Sequence, residues 1–288
     1  MPAFPLIDTH VHFWDPRRLK YSWQNGNALL ERPYETEGYK ADSQNIDTEA
    51  YVFVECDADA GQSLNEIDLI EEQARRDPRL RAIVATAPLE LGARVEPLLH
   101  EIVSRSSKVR GIRRILEYAP DPQGLMRSPD FIDGVRQLSK LSLHFEITVN
   151  YTQMGTVPEF VQKVQDVPLI LDHCGKPGIR GSHIKAFEHD VRKVARYSHV
   201  YCKLSGLTTE ADHLQWTEDQ LLPFIDVALQ AFGPERVIYG SDWPVCLQAT
   251  TLDRWVRLLD RALTGFSQID RRRIYRDNAN QFYRLGLG

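Results

Sequence analysis

The chain has 288 residues, 42% of them hydrophobic and 26% charged, with a formal net charge of −5. This is ordinary soluble globular composition with material for a rigid buried core, and the lack of any Lys/Arg stripe excludes a phosphate-tracking surface for nucleic acid. There is no run of about 18 apolar residues and no basic-then-apolar leader at the N-terminus, so neither a membrane span nor a signal peptide is expected, and the expected location is the cytoplasm.

Short β-rich runs alternate with longer amphipathic stretches, the signature of repeated βα units on a parallel sheet. The first strand is expected over residues 5–12 and ends Ile7-Asp8-Thr9-His10-Val11-His12. Residues two apart in a strand share a face, so His10 and His12 should point together into a barrel and could share a metal ion or flank a carbonyl. A long connection follows, Phe13 to Glu49, carrying Trp14, Tyr21, Trp23, Tyr34 and Tyr39. Such a loop in a compact domain is commonly functional, and it reads as a lid over the barrel mouth, with Trp14 a candidate substrate contact.

Further strands are expected over 50–56, 82–87, 109–116, 142–149, 168–173, 200–205 and 237–242. Helices with apolar residues at three- and four-residue spacing are expected over 61–76, 93–104, 130–140, 157–164, 183–198, 218–232, 252–263 and 268–283. Eight strands alternating with helices in one chain of this length predict a single (β/α)8 barrel domain spanning 1–288, with its active site at the carboxyl ends of the strands.

The residues ending each strand are therefore the informative ones. Glu55 ends the second strand and is a candidate for metal or substrate hydroxyl binding; Arg113 on the fourth is a candidate for the substrate carbonyl or ring oxygens. Asn150, after the fifth strand, and Ser205, ending the seventh, are candidate polar contacts, with Tyr151 and Lys203 beside them. The sixth strand ends Leu-Asp172-His173-Cys-Gly-Lys176-Pro, where His173 should enter the site, Asp172 should face the helices and Lys176 should lie on the loop surface. The eighth ends Tyr-Gly-Ser-Asp242-Trp-Pro; a carboxylate at this rim is costly unless paired, and in a closed barrel it neighbours His10 and His12. The four cysteines, Cys56, Cys174, Cys202 and Cys246, form no C-x-x-C and read as free thiols.

The His10-Val-His12 pair, Leu-Asp-His173-Cys-Gly-Lys-Pro and Tyr-Gly-Ser-Asp242-Trp-Pro together resemble the amidohydrolase superfamily, specifically its amidohydrolase-2 branch and the sugar-lactonase group within it. The likeness runs from Ile7 to the closing Asp-Asn278-Ala-Asn-Gln-Phe-Tyr. It implies catalytic roles for Asp242, His173, His10 and His12, with Asp242 acting on the hydrolytic water and His173 assisting at the substrate carbonyl. The chain also departs from the pattern. Two-metal members carry lysine or glutamate on the fourth strand, where this chain has Arg113, and many one-metal members carry a fifth-strand histidine, whereas His144 lies early in its strand. The resemblance thus implies one divalent metal, Zn or Mn, held by His10, His12, Asp242 and Glu55, or metal-independent chemistry.

The expected reaction is the opening of a sugar lactone such as L-fuconolactone or L-rhamnonolactone to its acid, the partner being that small molecule. The alternatives are a metal-dependent decarboxylase of the same branch and a non-catalytic sugar-binding barrel. No heptad pattern or long apolar edge marks an oligomer interface.

Overall fold

A computed structural model describes residues 2–288. Eight strands form one sheet in sequence order, every neighbouring pair parallel. They are β1 (Leu6–Val11), β2 (Thr48–Val54), β3 (Leu80–Thr86), β4 (Val109–Ile115), β5 (His144–Thr148), β6 (Leu169–Leu171), β7 (Val200–Leu204) and β8 (Val237–Tyr239). The sheet closes beyond the end of β8: the Asp242 amide donates to the His10 carbonyl at 2.9 Å, and the His12 amide to the Trp243 carbonyl at 2.8 Å. The result is the expected (β/α)8 barrel.

The helices are α1 (Thr36–Asp42), α2 (Ser63–Arg76), α3 (Glu96–Arg105), α4 (Pro122–Arg127), α5 (Pro129–Lys140), α6 (Val157–Lys163), α7 (Ile184–Val194), α8 (Glu218–Phe232), α9 (Leu252–Ala262), α10 (Gln268–Arg272) and α11 (Asn278–Phe282). Their apolar stripes pack on the outer faces of the strands; α8 contributes Leu221, Ile225, Ala228 and Phe232 and begins in a Thr217/Gln220 capping box. Two short helices were not legible in the pattern. Helix α1 lies inside the long loop, and α4 is nucleated by Asp121, which accepts from the Gly124 amide, with Pro122 in its first turn. The last expected helix is divided by a π-helical turn over Arg273–Asp277.

The barrel interior has two layers. At the amino ends of the strands, Ile7, Val52, Val54, Ala82, Val84, Ile170 and Ile238 pack with Ala279 and Tyr283 from the C-terminal helix. His144 also faces this end, its ring edge-on to Phe282 and Tyr283; Gly111 on β4 makes room, since a Cβ there would lie 2.2 Å from that ring. Above it the interior becomes ionic. Lys203 Nζ lies 2.7 Å from Glu146 and 3.0 Å from Asp172, all fully buried. The Tyr283 hydroxyl donates to Glu146 at 2.6 Å, which ties the C-terminal helix to this network.

Removing one member of a buried pair costs about 3–5 kcal/mol, because the partner charge is stranded. Lys203→Met is therefore expected to lower unfolding free energy by about that amount at pH 7. Burial alone would raise the Asp172 pKa, but Lys203 and His10 hold it well below the carboxylate range. Its stabilisation is thus present above the unfolded pKa and lost as pH falls through the native one. The Lys203→Met deficit should accordingly shrink below about pH 4, where unpaired carboxyls protonate; urea unfolding at pH 7 and pH 4 measures both.

Candidate active site

The register between β1 and β2 shifts between Asp8 and Val11. Ile7 consequently packs in the lower layer while His10 and His12 both project inward at the rim. Asp8, one step outward, is buried and accepts from the Ser241 amide at 2.8 Å and the Tyr39 hydroxyl at 2.8 Å, bracing the seam between β1 and the chain after β8. Gly240 is needed there, since a Cβ would stand 2.9 Å from His10 Cβ. Past it, Asp242 adopts a left-handed conformation (φ 64°) and turns its carboxylate into the barrel mouth. Its Oδ1 lies 3.4 Å from His12 Nε2 and 3.7 Å from His10 Nε2. Burial would raise the Asp242 pKa, but His173, His12 and Lys176 outweigh it and hold the carboxyl below its ordinary value.

His10 is surrounded by charge. Its Nδ1 lies 3.2 Å from Lys203 Nζ and 3.6 Å from Asp172 Oδ1, and its Nε2 lies 3.2 Å from an Arg113 guanidinium nitrogen. Burial first, and then the Lys203 charge, drive its pKa well down, so the ring is neutral. Asp172 corrects the sequence reading, which turned it toward the helices. Ile170 on β6 faces the axis, and strand alternation then sends Asp172 to the same side. There it meets Lys203, Arg113 at 3.6 Å and the Thr148 hydroxyl at 3.2 Å.

His173 reaches the site only because alternation stops. Residues His173, Cys174, Gly175 and Lys176 all have left-handed backbone angles (φ 51°, 55°, 76° and 45°), which brings His173 back over the barrel mouth. Its Nδ1 pairs with Ser205 Oγ at 2.8 Å, and its ring centroid is 4.5 Å from that of His10. Gly206 permits this approach; a Cβ there would lie 2.5 Å from His173 Nδ1. Burial lowers the His173 pKa against the opposing pull of Asp242 and Asp172.

These groups open into a cavity of about 400 Å³ whose wall includes His12, Arg113, His173 and Asp242. The long loop after β1 packs beside it. Trp23 lies on the cavity wall and donates its indole N–H to the Cys56 carbonyl at 2.7 Å. Trp14 does not reach the cavity: it is fully buried within the loop and bonded to the Leu30 and Arg32 carbonyls. Other sequence candidates are placed as supports. Glu55 Oε1 accepts from Arg113 Nε at 2.6 Å, and Glu55 stands apart from the histidine–Asp242 group. Asn150 Oδ1 is engaged by the Thr152 amide and hydroxyl, shaping its own loop. Ser205 acts through His173. Lys176, read from sequence as loop surface, is instead on the cavity wall, with Glu117, Tyr118, Asp57 and Thr209, none of which had been singled out. No periodic signal marks these, because they lie past strand ends; position after a strand was the available clue for Glu117. All four cysteines are buried and unpaired.

The residues also suit a metal. His12 Nδ1 lies 2.8 Å from the Val54 carbonyl, a bond that fixes the proton on Nδ1 and leaves the Nε2 lone pair facing Asp242. Two acceptors 3.4 Å apart call for a shared cation or proton. With His10 Nε2 they make a group of three donors within 4.8 Å of one another, suited to one Zn- or Mn-type ion. Arg113 competes for the His10 lone pair in this arrangement. A second group, His10, Asp172 and His173, fits a cation less well, because Lys203 already occupies that carboxylate.

His10, His144 and His173 all have lowered pKa values through burial. Below pH 6.5 the unfolded chain therefore binds protons that the native one refuses, and stability falls as pH falls. Each contributes a slope of up to about 1.4 kcal/mol per pH unit. Denaturant unfolding between pH 7 and 5 should show this slope, made shallower by about one proton in His173→Gln.

Comparison with known proteins is consistent across the chain. The family model described as Amidohydrolase matches residues 7–285. The chain is 32% identical to the L-fucono-1,5-lactonase of Burkholderia multivorans, over 97% of this chain and 96% of that protein. It is 23% identical to the L-rhamnono-gamma-lactonase of Scheffersomyces stipitis, over 99% and 100%. The crystal structure of a Burkholderia multivorans amidohydrolase with bound zinc superposes with a TM-score of 0.87 at 30% identity, covering 98% of this chain and 99% of that one. With the family match running from the strand that carries His10 past the helix that closes the barrel, the chain belongs to the amidohydrolase family.

Proposed function

We propose that the protein hydrolyses a sugar lactone, such as an L-fuconolactone or L-rhamnonolactone, to the sugar acid, with Asp242 as general base. The observation that carries this reading is the meeting of the Asp242 carboxylate, held ionised, with His12 and His173 at one cavity wall. The sugar-lactonase names of relatives matching nearly the whole chain support the substrate class.

The geometry supports the following steps. Asp242 takes a proton from a water molecule as its oxygen attacks the lactone carbonyl. The resulting oxyanion is stabilised by donors already fixed in place: His173, oriented by Ser205, and the N–H groups that Arg113 does not spend on Glu55 and His10. The tetrahedral carbon collapses, the bond to the ring oxygen breaks, and Asp242 returns its proton to that oxygen. The product acid ionises at neutral pH, giving one proton to solvent per turnover. A divalent cation held by His10, His12 and Asp242 would supply hydroxide near neutral pH and polarise the carbonyl. Lys203, Asp172 and Glu55 take no part in bond making; they hold His10 and Arg113 still.

General acid–base assistance contributes about 10²–10⁴-fold. Asp242→Asn is therefore expected to lower kcat/KM for lactone opening by about that factor, with folding intact. Acid release from a panel of sugar lactones checks it, with metal content measured on the same sample before and after chelation. Carbon dioxide release from aromatic acids without lactone opening would replace the hydrolase reading by decarboxylation, and binding without turnover would leave only a sugar-binding barrel.

A further inference from the structure

The charges around the cavity are unequal in their commitments. Two cations stand on its wall, Arg113 and Lys176. Arg113 is clamped by Glu55 and lies beside Asp172. Lys176 Nζ lies 2.6 Å from Glu117 Oε1. The anions outnumber them: Asp57, Glu117 and Asp242 face the same space, and behind them burial, against the pull of Lys176, raises the Glu210 pKa to about 7. A ligand bearing a carboxylate or sulfonate would therefore meet no cation free of a carboxylate partner on the described wall.

A ligand rich in hydroxyls meets a different surface. Glu117 is only 9% exposed, and it brings its carboxylate to the cavity wall with the Tyr118 phenol beside it. A carboxylate on such a wall accepts from an O–H donor in a charge-assisted hydrogen bond, stronger than one between neutral groups. Beside it, Lys176 offers its remaining N–H groups as donors. Both residues are held firmly: the Glu117 carbonyl accepts from Gln153 at 3.1 Å, and Lys176 closes the left-handed run that carries His173, its amide donating to the His173 carbonyl at 2.9 Å. Trp23, Ile115, Val245 and the Tyr118 ring supply apolar wall for the C–H faces of a ring.

We propose that the Glu117–Lys176 pair is the specificity element of the site, reading adjacent hydroxyls of an uncharged polyhydroxy lactone and rejecting lactones that carry an extra acidic group. One hydroxyl donates to the Glu117 carboxylate while its neighbour accepts from Lys176. The inference rests on the lactonase reading and adds which residues choose the substrate.

The test compares three probes of similar ring size: a neutral sugar lactone, an aldarolactone bearing a carboxylate, and unsubstituted δ-valerolactone. The wild type should favour the neutral sugar lactone over the aldarolactone. Glu117→Gln should raise KM for the sugar lactone by about 10- to 100-fold, the range for hydrogen bonds to a charged group, with a much smaller change in kcat. Its effect on δ-valerolactone should be at least about tenfold smaller. Because Lys176 then loses its hydrogen-bonded carboxylate and keeps only the longer-range pull of Glu210 and Asp242, the preference over the aldarolactone should fall. Lys176→Gln should weaken the sugar lactone without improving the aldarolactone, and thermal unfolding of both variants verifies folding. Equal losses on all three probes, or an unchanged preference for the neutral lactone in Glu117→Gln, would overturn the proposal while leaving a lactonase. A wild-type protein that opens no lactone would overturn the parent reading and this inference with it.

Discussion

The ion pair between Lys203 and Asp172, with Glu146 on its other side, is the constraint on which the upper half of the barrel depends. A fully buried ammonium can exist here only because two carboxylates flank it, and a carboxylate as deep as Asp172 only because Lys203 and Arg113 face it. Everything nearer the mouth leans on this arrangement. It fixes the His10 ring between Lys203 and Arg113, and the Lys203 charge adds to the burial that holds the His10 pKa down. Asp172 also faces the Arg113 guanidinium at 3.6 Å, and with Glu55 it sets the directions in which that guanidinium has donors to spare. The site is thus preorganised by charges that do not themselves contact the cavity.

The fold was legible in the sequence because it repeats: each strand is a short apolar run and each outer helix an amphipathic one, so the period announces the architecture. His10, His12 and Asp242 were legible because each terminates such a run with a polar residue at a strand end. Asp172 and His173 show where the argument fails. Alternation places Asp172 inward from Ile170, and a residue on from it should then face outward; His173 returns only through consecutive left-handed residues, for which the non-glycine positions give no local signal. Asn150 and Trp14 were polar or aromatic residues in the right region whose hydrogen bonds are consumed within their own loops. Glu117 and Lys176 meet across a span of 59 positions, and no pattern within either segment announces the partner.

The long loop after β1 draws its order from aromatic packing rather than from regular structure. Trp14 meets Tyr21, Trp23 and Tyr34 edge-on or tilted, and Tyr34 and Tyr39 both abut Trp243, the residue that follows Asp242. Aromatic pairs of this kind contribute about 0.5–1.5 kcal/mol each beyond area burial. The loop is thereby fastened to the segment carrying Asp242, and Trp23, at 40% exposure, is left at its inner margin on the cavity wall.

The C-terminal helix has a consequence for traffic. Ala279 and Tyr283 stop the lower end of the barrel, with the apolar layer of Ile7, Val52, Val84, Ile170 and Ile238 above them. With the floor closed, whatever the cavity takes in or gives out passes the upper opening, whose wall carries Asp57, Glu117 and Asp242. A neutral molecule crosses such a carboxylate-rich threshold without hindrance, whereas an anion is repelled by it.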